Sequence, residues 1–224
     1  MSKLIVFDVD GTLIDSHHLF ERVVHEYVAE KGITLPDFDA IRLGYGEPHK
    51  HDFKWGGAEE QLKHLYATFD ITEAWSMSGE AHKTPQLFYG AKETLAALQE
   101  QGYTLAIVTS KLEAPLMHLM EFHEIAGFFT AHRARDDVKR RGEREKPYPD
   151  QLHSVMNQLG FAPDDTVMIG DTTMDMQMGR AAATHAVGVT WGVHHVHHLL
   201  DAGAHHIVDT EFPDLSPLIQ KIWR

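Results

Sequence analysis

The residues of this 224-residue chain that could do chemistry fall into a few short groups, the first being Asp8-Val9-Asp10-Gly11-Thr12 behind the apolar run Leu4-Ile5-Val6-Phe7. In extended chain, residues i and i+2 point the same way, so Asp8 and Asp10 can face one pocket. Gly11 lets the backbone turn sharply away from them. Two carboxylates this close repel each other unless a cation or a shared proton comes between them. Taken alone the pair has an ordinary explanation, since aspartates at strand ends commonly make turns and helix caps.

Three further groups lie downstream. Thr109-Ser110 follows Leu105-Ala106-Ile107-Val108, where a hydroxyl and free backbone amides could hold a phosphate oxygen, although Ser and Thr also serve as plain N-caps. Lys146-Pro147-Tyr148-Pro149-Asp150 places a cation just before a helix. Gly170-Asp171-Thr172-Thr173-Met174-Asp175 offers two carboxylates near a helix start, where acidic side chains also complement the helix dipole.

What must position these groups is a parallel sheet. Short apolar runs at Leu4–Phe7, Leu105–Val108, Thr166–Ile169 and Ala186–Val189, with weaker ones at Phe128–Thr130 and Ile207–Val208, read as buried strands. Between them, residues 91–101 put Leu95 and Leu98 on one side and end at Gly102. Residues 150–159 carry Leu152, Val155, Met156 and Leu159 at helical spacing and end at Gly160. Alternation of this kind predicts an α/β fold, a Rossmann-like doubly wound parallel sheet covered on both faces. All the candidate residues except Lys146 then stand at or just beyond the carboxyl ends of strands, where open α/β sheets bind ligands. If the strand of Asp8 is central and flanked by those ending at Thr109 and Gly170, hard oxygen donors meet, a set that suits Mg²⁺.

Residues 16–84 interrupt the alternation. Leu19, Phe20, Val23, Val24, Tyr27 and Val28 form a helical stripe, and a second helix is predicted around 58–70, with no convincing strand between them. The expected division is therefore a core of residues 1–15 and 85–224 with a helical insert at 16–84. Leu43-Gly44-Tyr45-Gly46-Glu47-Pro48 marks a loop inside the insert.

Composition narrows the partners. With 33 acidic against 20 basic residues the net charge is −13, which disfavours nucleic acid and anionic membrane. There is no cysteine, so thiol nucleophiles and thiolate metal sites are excluded. No apolar run approaches the roughly 20 residues that span a bilayer, and a cytoplasmic location is the default expectation. The charged stretch from Arg133 to Glu145 reads as a solvated loop, with assistance to Lys146 from one of its cations as the sharper alternative. Among 18 histidines, His194-His195-Val196-His197-His198 suggests transition-metal binding, and solvent-facing rings are the simpler reading. His17, just after the first group, could touch a substrate or merely start a helix. Trp191 and the C-terminal Leu215, Leu218, Ile219 and Ile222 are expected to pack the core.

Asp8-Val9-Asp10-Gly11-Thr12-Leu13, Thr109, Lys146-Pro147 and Gly170–Asp175 together resemble the four motifs of the haloacid-dehalogenase superfamily, in order and across essentially the whole chain. The insert resembles the α-helical cap of its phosphoglycolate-phosphatase-like branch. That resemblance implies a phosphatase acting on a small phosphorylated metabolite, and a second aspartate at position 10 points to phosphate transfer rather than dehalogenation. It further implies that Asp8 attacks phosphorus to give an aspartyl-phosphate. Asp10 protonates the leaving oxygen and then takes a proton from water. Mg²⁺ is held by the Asp8 carboxylate, the Asp10 backbone carbonyl and Asp171, with Asp175 either a further ligand or a residue that orients the others. Thr109, Ser110 and Lys146 contact the phosphoryl oxygens. The cap would read the substrate, with residues 41–56 and Arg42 as the candidate specificity loop. The four carboxylates carry about −4, which Mg²⁺ and Lys146 reduce to about −1. Competing readings are a phosphomutase, a pyrophosphatase or nucleotidase, a phospho-accepting signalling receiver, and a non-catalytic histidine-rich metal-binding protein. A receiver would place its acceptor on a later strand and would lack the insert. Oligomeric state cannot be read.

Overall fold

A computed structural model describes residues 2–43, 55 and 57–223, without the side chains of residues 39, 42, 43 and 58. Six strands form one parallel sheet: β1 (Leu4–Phe7), β4 (Thr104–Val108), β5 (Phe129–Arg133), β6 (Thr166–Gly170), β7 (His185–Val189) and β8 (His206–Val208), in the order β5-β4-β1-β6-β7-β8. The predicted α/β class is borne out, and β1 takes the central place on which the meeting of the candidate residues is conditional. β1 pairs with β4 on one side and β6 on the other, Phe7 standing beside Ile107 and Ile169.

The continuous apolar runs follow from burial on both faces. Ile5, Phe7, Leu105, Ile107, Val167 and Ile169 point into one core, packed under α4 (Ala91–Glu100), α5 (Glu113–Phe122) and α10 (Leu215–Ile222). Leu4, Val6, Ala106, Val108 and Met168 point into the other, under α7 (Asp150–Leu159) and α8 (Thr173–Ala181). The period of two along each strand is what divides these residues between the layers. Leu215 and Ile219 are fully buried, and Leu218 and Ile222 pack against the same core.

The chain divides into two compact units, Met1–Asp15 with Gln86–Arg224, and Ser16–Pro85. Within the first, β2 (Ile14–Asp15) and β3 (Gln86–Leu87) pair antiparallel, so the chain leaves and re-enters this unit side by side. The second unit holds α1 (Ser16–Lys31), α2 (Phe38–Leu43) and α3 (Ala58–Ser76), joined by a core of Phe20, Val24, Val28, Ile41, Trp55 and Leu65. Among the described residues no helix is long and apolar enough to cross a membrane.

Residues 133–145 depart from the expected loop. Arg133 ends β5 and is buried, its guanidinium donating to Ser154 Oγ, Gln158 Oε1 and the His132 carbonyl. Arg135–Arg141 form α6, with Asp136 and Asp137 in the first turn and Lys139, Arg140 and Arg141 in the last. That order of charges complements the helix dipole, a pattern that high charge density alone conceals.

Candidate active site

Asp8 stands one residue past β1, and its backbone N–H still donates to the Ile169 carbonyl at 2.9 Å, which extends the ladder to the carboxylate itself. The chain then folds back: Leu13 N–H donates to the Val9 carbonyl at 2.9 Å and Gly11 N–H to the Ile14 carbonyl at 2.8 Å, with Gly11 at φ +75°. A Cβ on Gly11 would lie 2.2 Å from Asp171 Oδ2, and one on Gly192 equally close. The glycines therefore serve close approach of backbone to a carboxylate as much as turning.

Asp8, Asp171 and Asp175 are all buried, and each offers an oxygen within 4.8 Å of the others, the one such group of potential metal ligands among the described residues. Lys146 is buried between two of them, its Nζ 2.9 Å from Asp8 Oδ1 and 2.7 Å from Asp175 Oδ1. The Asp8 contact is a close ion pair. Asp171 accepts from Thr12 Oγ1 and from Val193 N–H, both at 2.8 Å. Asp175 Oδ2 accepts from Thr172 N–H and Oγ1 while Thr172 caps α8, so the capping role foreseen for this carboxylate and its place in the cluster coexist.

Burial, then the neighbouring Asp175, raises the Asp8 carboxyl to about 6 despite the opposing charge of Lys146. Burial, then Asp8 and Asp175, pushes Asp171 well above the usual carboxylate range. Lys146 moves upward: burial works against its charge, but Asp175 and Asp8 outweigh it. Three carboxylates with one ammonium form a cluster short of positive charge, and the donors are all hard oxygens. The residues fit a small divalent cation.

Thr109 is buried at the end of β4, where its N–H donates to the Arg133 carbonyl, whereas Ser110 is exposed on the loop beyond. Asp10 turns its carboxylate to a residue that the sequence reading passed over: Lys111 Nζ lies 3.0 and 3.2 Å from its two oxygens. The signal was available, since Lys111 is two residues beyond Thr109 on the same strand end. The denser charge of residues 133–145 masks a single lysine at that position. Those arginines are engaged elsewhere: Arg140 with Glu113 and Asp137, Arg144 with Asp150. A cleft of about 550 Å³ lined by Arg133, Arg140, Arg141 and Glu113 contains none of the motif residues.

His17 lies in the first turn of α1, in the helical unit, and is half-buried. The Arg42 side chain, and residues 44–54 and 56 of the expected specificity loop, lie outside the described residues. His194 is a correction. It is buried ahead of α9 (Val196–Asp201), its Nδ1 accepts from Thr173 N–H at 3.2 Å, and its own N–H donates to the Asp171 carbonyl at 3.1 Å. It braces the Asp171 loop, and of the histidines in the run only His195 and His197 are exposed. Trp191 likewise does more than pack, donating from Nε1 to the Thr12 carbonyl at 3.0 Å.

This arrangement of sheet, strand-end carboxylates and buried lysine defines a class. The family model for haloacid dehalogenase-like hydrolases matches residues 5–189, and the chain belongs to that family of hydrolases. A probable phosphatase, IndB, of Dickeya dadantii is 34% identical over 94% of this chain and 90% of its own length. Phosphoglycolate phosphatase of Escherichia coli O157:H7 is 29% identical over 96% and 91%. The crystal structure of a predicted phosphoglycolate phosphatase from Haemophilus somnus 129pt shares the fold, with a TM-score of 0.79 at 21% identity over 98% of both chains.

Proposed function

We propose that this chain is a Mg²⁺-dependent phosphatase that hydrolyses a small phosphomonoester through a covalent phosphate on Asp8. The observation that carries the proposal is the convergence of Asp8, Asp171 and Asp175 around Lys146 at the end of the central strand. Asp8, Asp171 and Asp175 would hold the cation with the Asp10 carbonyl, and when bound it would neutralise charge on the carboxylates and on the phosphoryl oxygens. The Asp8 carboxylate attacks phosphorus as the bond to the leaving oxygen breaks, and Asp10 gives that oxygen a proton. Asp10 then takes a proton from the water that attacks the aspartyl-phosphate, releasing inorganic phosphate and restoring Asp8. Thr109, through its hydroxyl, and Lys146 face the charge spread over the phosphoryl group.

A phosphoglycolate-like substrate is favoured because relatives across nearly the whole chain bear that name. The deciding experiment is phosphate release from a panel of phosphorylated metabolites that includes 2-phosphoglycolate, a nucleotide, inorganic pyrophosphate and a sugar phosphate. Mg²⁺-dependent turnover without a bisphosphate activator is expected, with a carboxylate-bearing monoester ranked first. Phosphate returned to a sugar instead of to water would make the enzyme a mutase.

The carboxylates make a second prediction. A carboxyl raised in the folded state contributes stability that is fully present below its unfolded value of 3.8 and is lost as pH rises through its folded value, about 6 for Asp8. Without divalent cation the thermal midpoint is therefore expected to fall between pH 4 and 7. Mg²⁺ binds the ionised form, so millimolar Mg²⁺ should raise the midpoint more at pH 7 than at pH 4. Equal Mg²⁺ effects at both values, measured by calorimetry with chelator controls, would refute the assignment of the cluster as the cation site.

A further inference from the structure

Two lysines serve this site, and they stand in different positions. Lys146 is sunk between Asp8 and Asp175 with 2% of its side chain exposed. Lys111 lies nearer solvent, 10% exposed, on an Asp10 carboxylate that is itself 16% exposed. Its backbone N–H donates to Thr109 Oγ1 at 3.2 Å, which ties the lysine to the strand end that carries the candidate phosphate-binding hydroxyl. The ammonium thus rises from the loop after β4 and reaches the aspartate two residues past Asp8.

Charge gives this position a purpose. With a divalent cation and Lys146, the four carboxylates keep about one negative charge, and a phosphomonoester brings roughly two more. Lys111 brings the free site to neutrality. An ammonium is a point charge with three donors on a flexible four-carbon stem, so it can hold a carboxylate with one N–H and turn another to a phosphoryl oxygen.

Resting on the phosphatase reading, we propose that Lys111 is a second phosphoryl-binding lysine, which holds Asp10 in the free enzyme and donates to a non-bridging oxygen of the bound phosphomonoester. The ligand it selects is a tetrahedral oxyanion carrying two negative charges. Because it keeps Asp10 within reach, the same contact sets the acid beside the leaving oxygen.

The test measures binding apart from turnover. In an Asp8→Asn background with saturating Mg²⁺, inorganic phosphate is titrated by calorimetry against Lys111→Met and Lys111→Arg. A lost charge-assisted hydrogen bond predicts about 10- to 100-fold weaker phosphate binding for methionine. Arginine, which keeps the charge, should restore most of that loss. In the otherwise native protein kcat/KM on p-nitrophenyl phosphate should fall in the same order, with the circular dichroism spectrum unchanged. If the methionine variant does not fold, Lys111→Gln takes its place. A folded variant that binds phosphate within twofold of its parent overturns the proposal and leaves the phosphatase reading standing. An Asp8→Asn parent that does not bind phosphate, together with a native protein that hydrolyses no ester, overturns both.

Discussion

Replacing Asp8 with asparagine is expected to lower Mg²⁺-dependent turnover by roughly 10⁴-fold or more, to background, while the protein remains folded. The amide keeps the shape of the side chain but cannot attack phosphorus. The fold survives because the ionised carboxylate is already held at a cost: burial and Asp175 raise it to about 6. A neutral group at position 8 removes that repulsion, so the thermal midpoint of the metal-free variant should equal or exceed that of the parent. Steady-state assays with calorimetry check both halves. Substantial activity in the folded variant would sink the nucleophile assignment.

The second large effect is on stability. Lys146→Met removes the ammonium 2.9 Å from Asp8 and 2.7 Å from Asp175 and leaves two buried carboxylates facing each other beside Asp171. Breaking a buried ion pair by deleting one partner costs about 3–5 kcal/mol, because the surviving charge stays desolvated. The loss should appear in urea unfolding of the metal-free protein at pH 7 and shrink at pH 4, where the carboxyls take up protons. It should also shrink on adding Mg²⁺, which would replace some of the missing charge. A pH-independent loss would mean that the lysine stem, and not its charge, supports the core.

The paired losses bear on how such a cluster is stored in a folded protein. Each carboxylate has a neighbour that holds it in place: Thr12 and Val193 for Asp171, Thr172 for Asp175, Lys111 for Asp10. The contacts to Asp171 and Asp175 orient the oxygens without cancelling their charge. Neutralisation is left to Lys146, to Lys111 beside Asp10 and, on the proposed reading, to Mg²⁺. Glycines at 11 and 192 keep the space beside Asp171 free of side chains. Fixed donors and close backbone approach of this kind are what electrostatic catalysis requires of a site.

The strands, the all-parallel sheet and the meeting of Asp8, Asp171 and Asp175 were legible in the sequence, because they rest on local patterns. Continuous apolar runs report burial on two faces, and aspartates that end such runs are carried to one edge by parallel pairing. Helices α4 and α7 were legible for the same reason, with glycine at or just after each end. What the sequence could not rank was one cation against another. Lys111 and the arginines of residues 133–145 look alike as charges, and only the register of β4 against β1 brings Lys111 to Asp10 while α6 directs its arginines to Glu113 and Asp137. His194 was misread, and the hydrogen bond that Trp191 makes besides packing the core was missed, for a related cause. Their ring nitrogens meet the backbone of Thr173 and Thr12, 21 and 179 residues away along the chain, and a contact at that separation leaves no periodic trace. Asp8 could be found from its own neighbourhood. Of the residues that hold its partners in place, Thr172 is local to Asp175 in one capping turn, whereas Thr12, Val193 and Lys111 are brought in by tertiary packing.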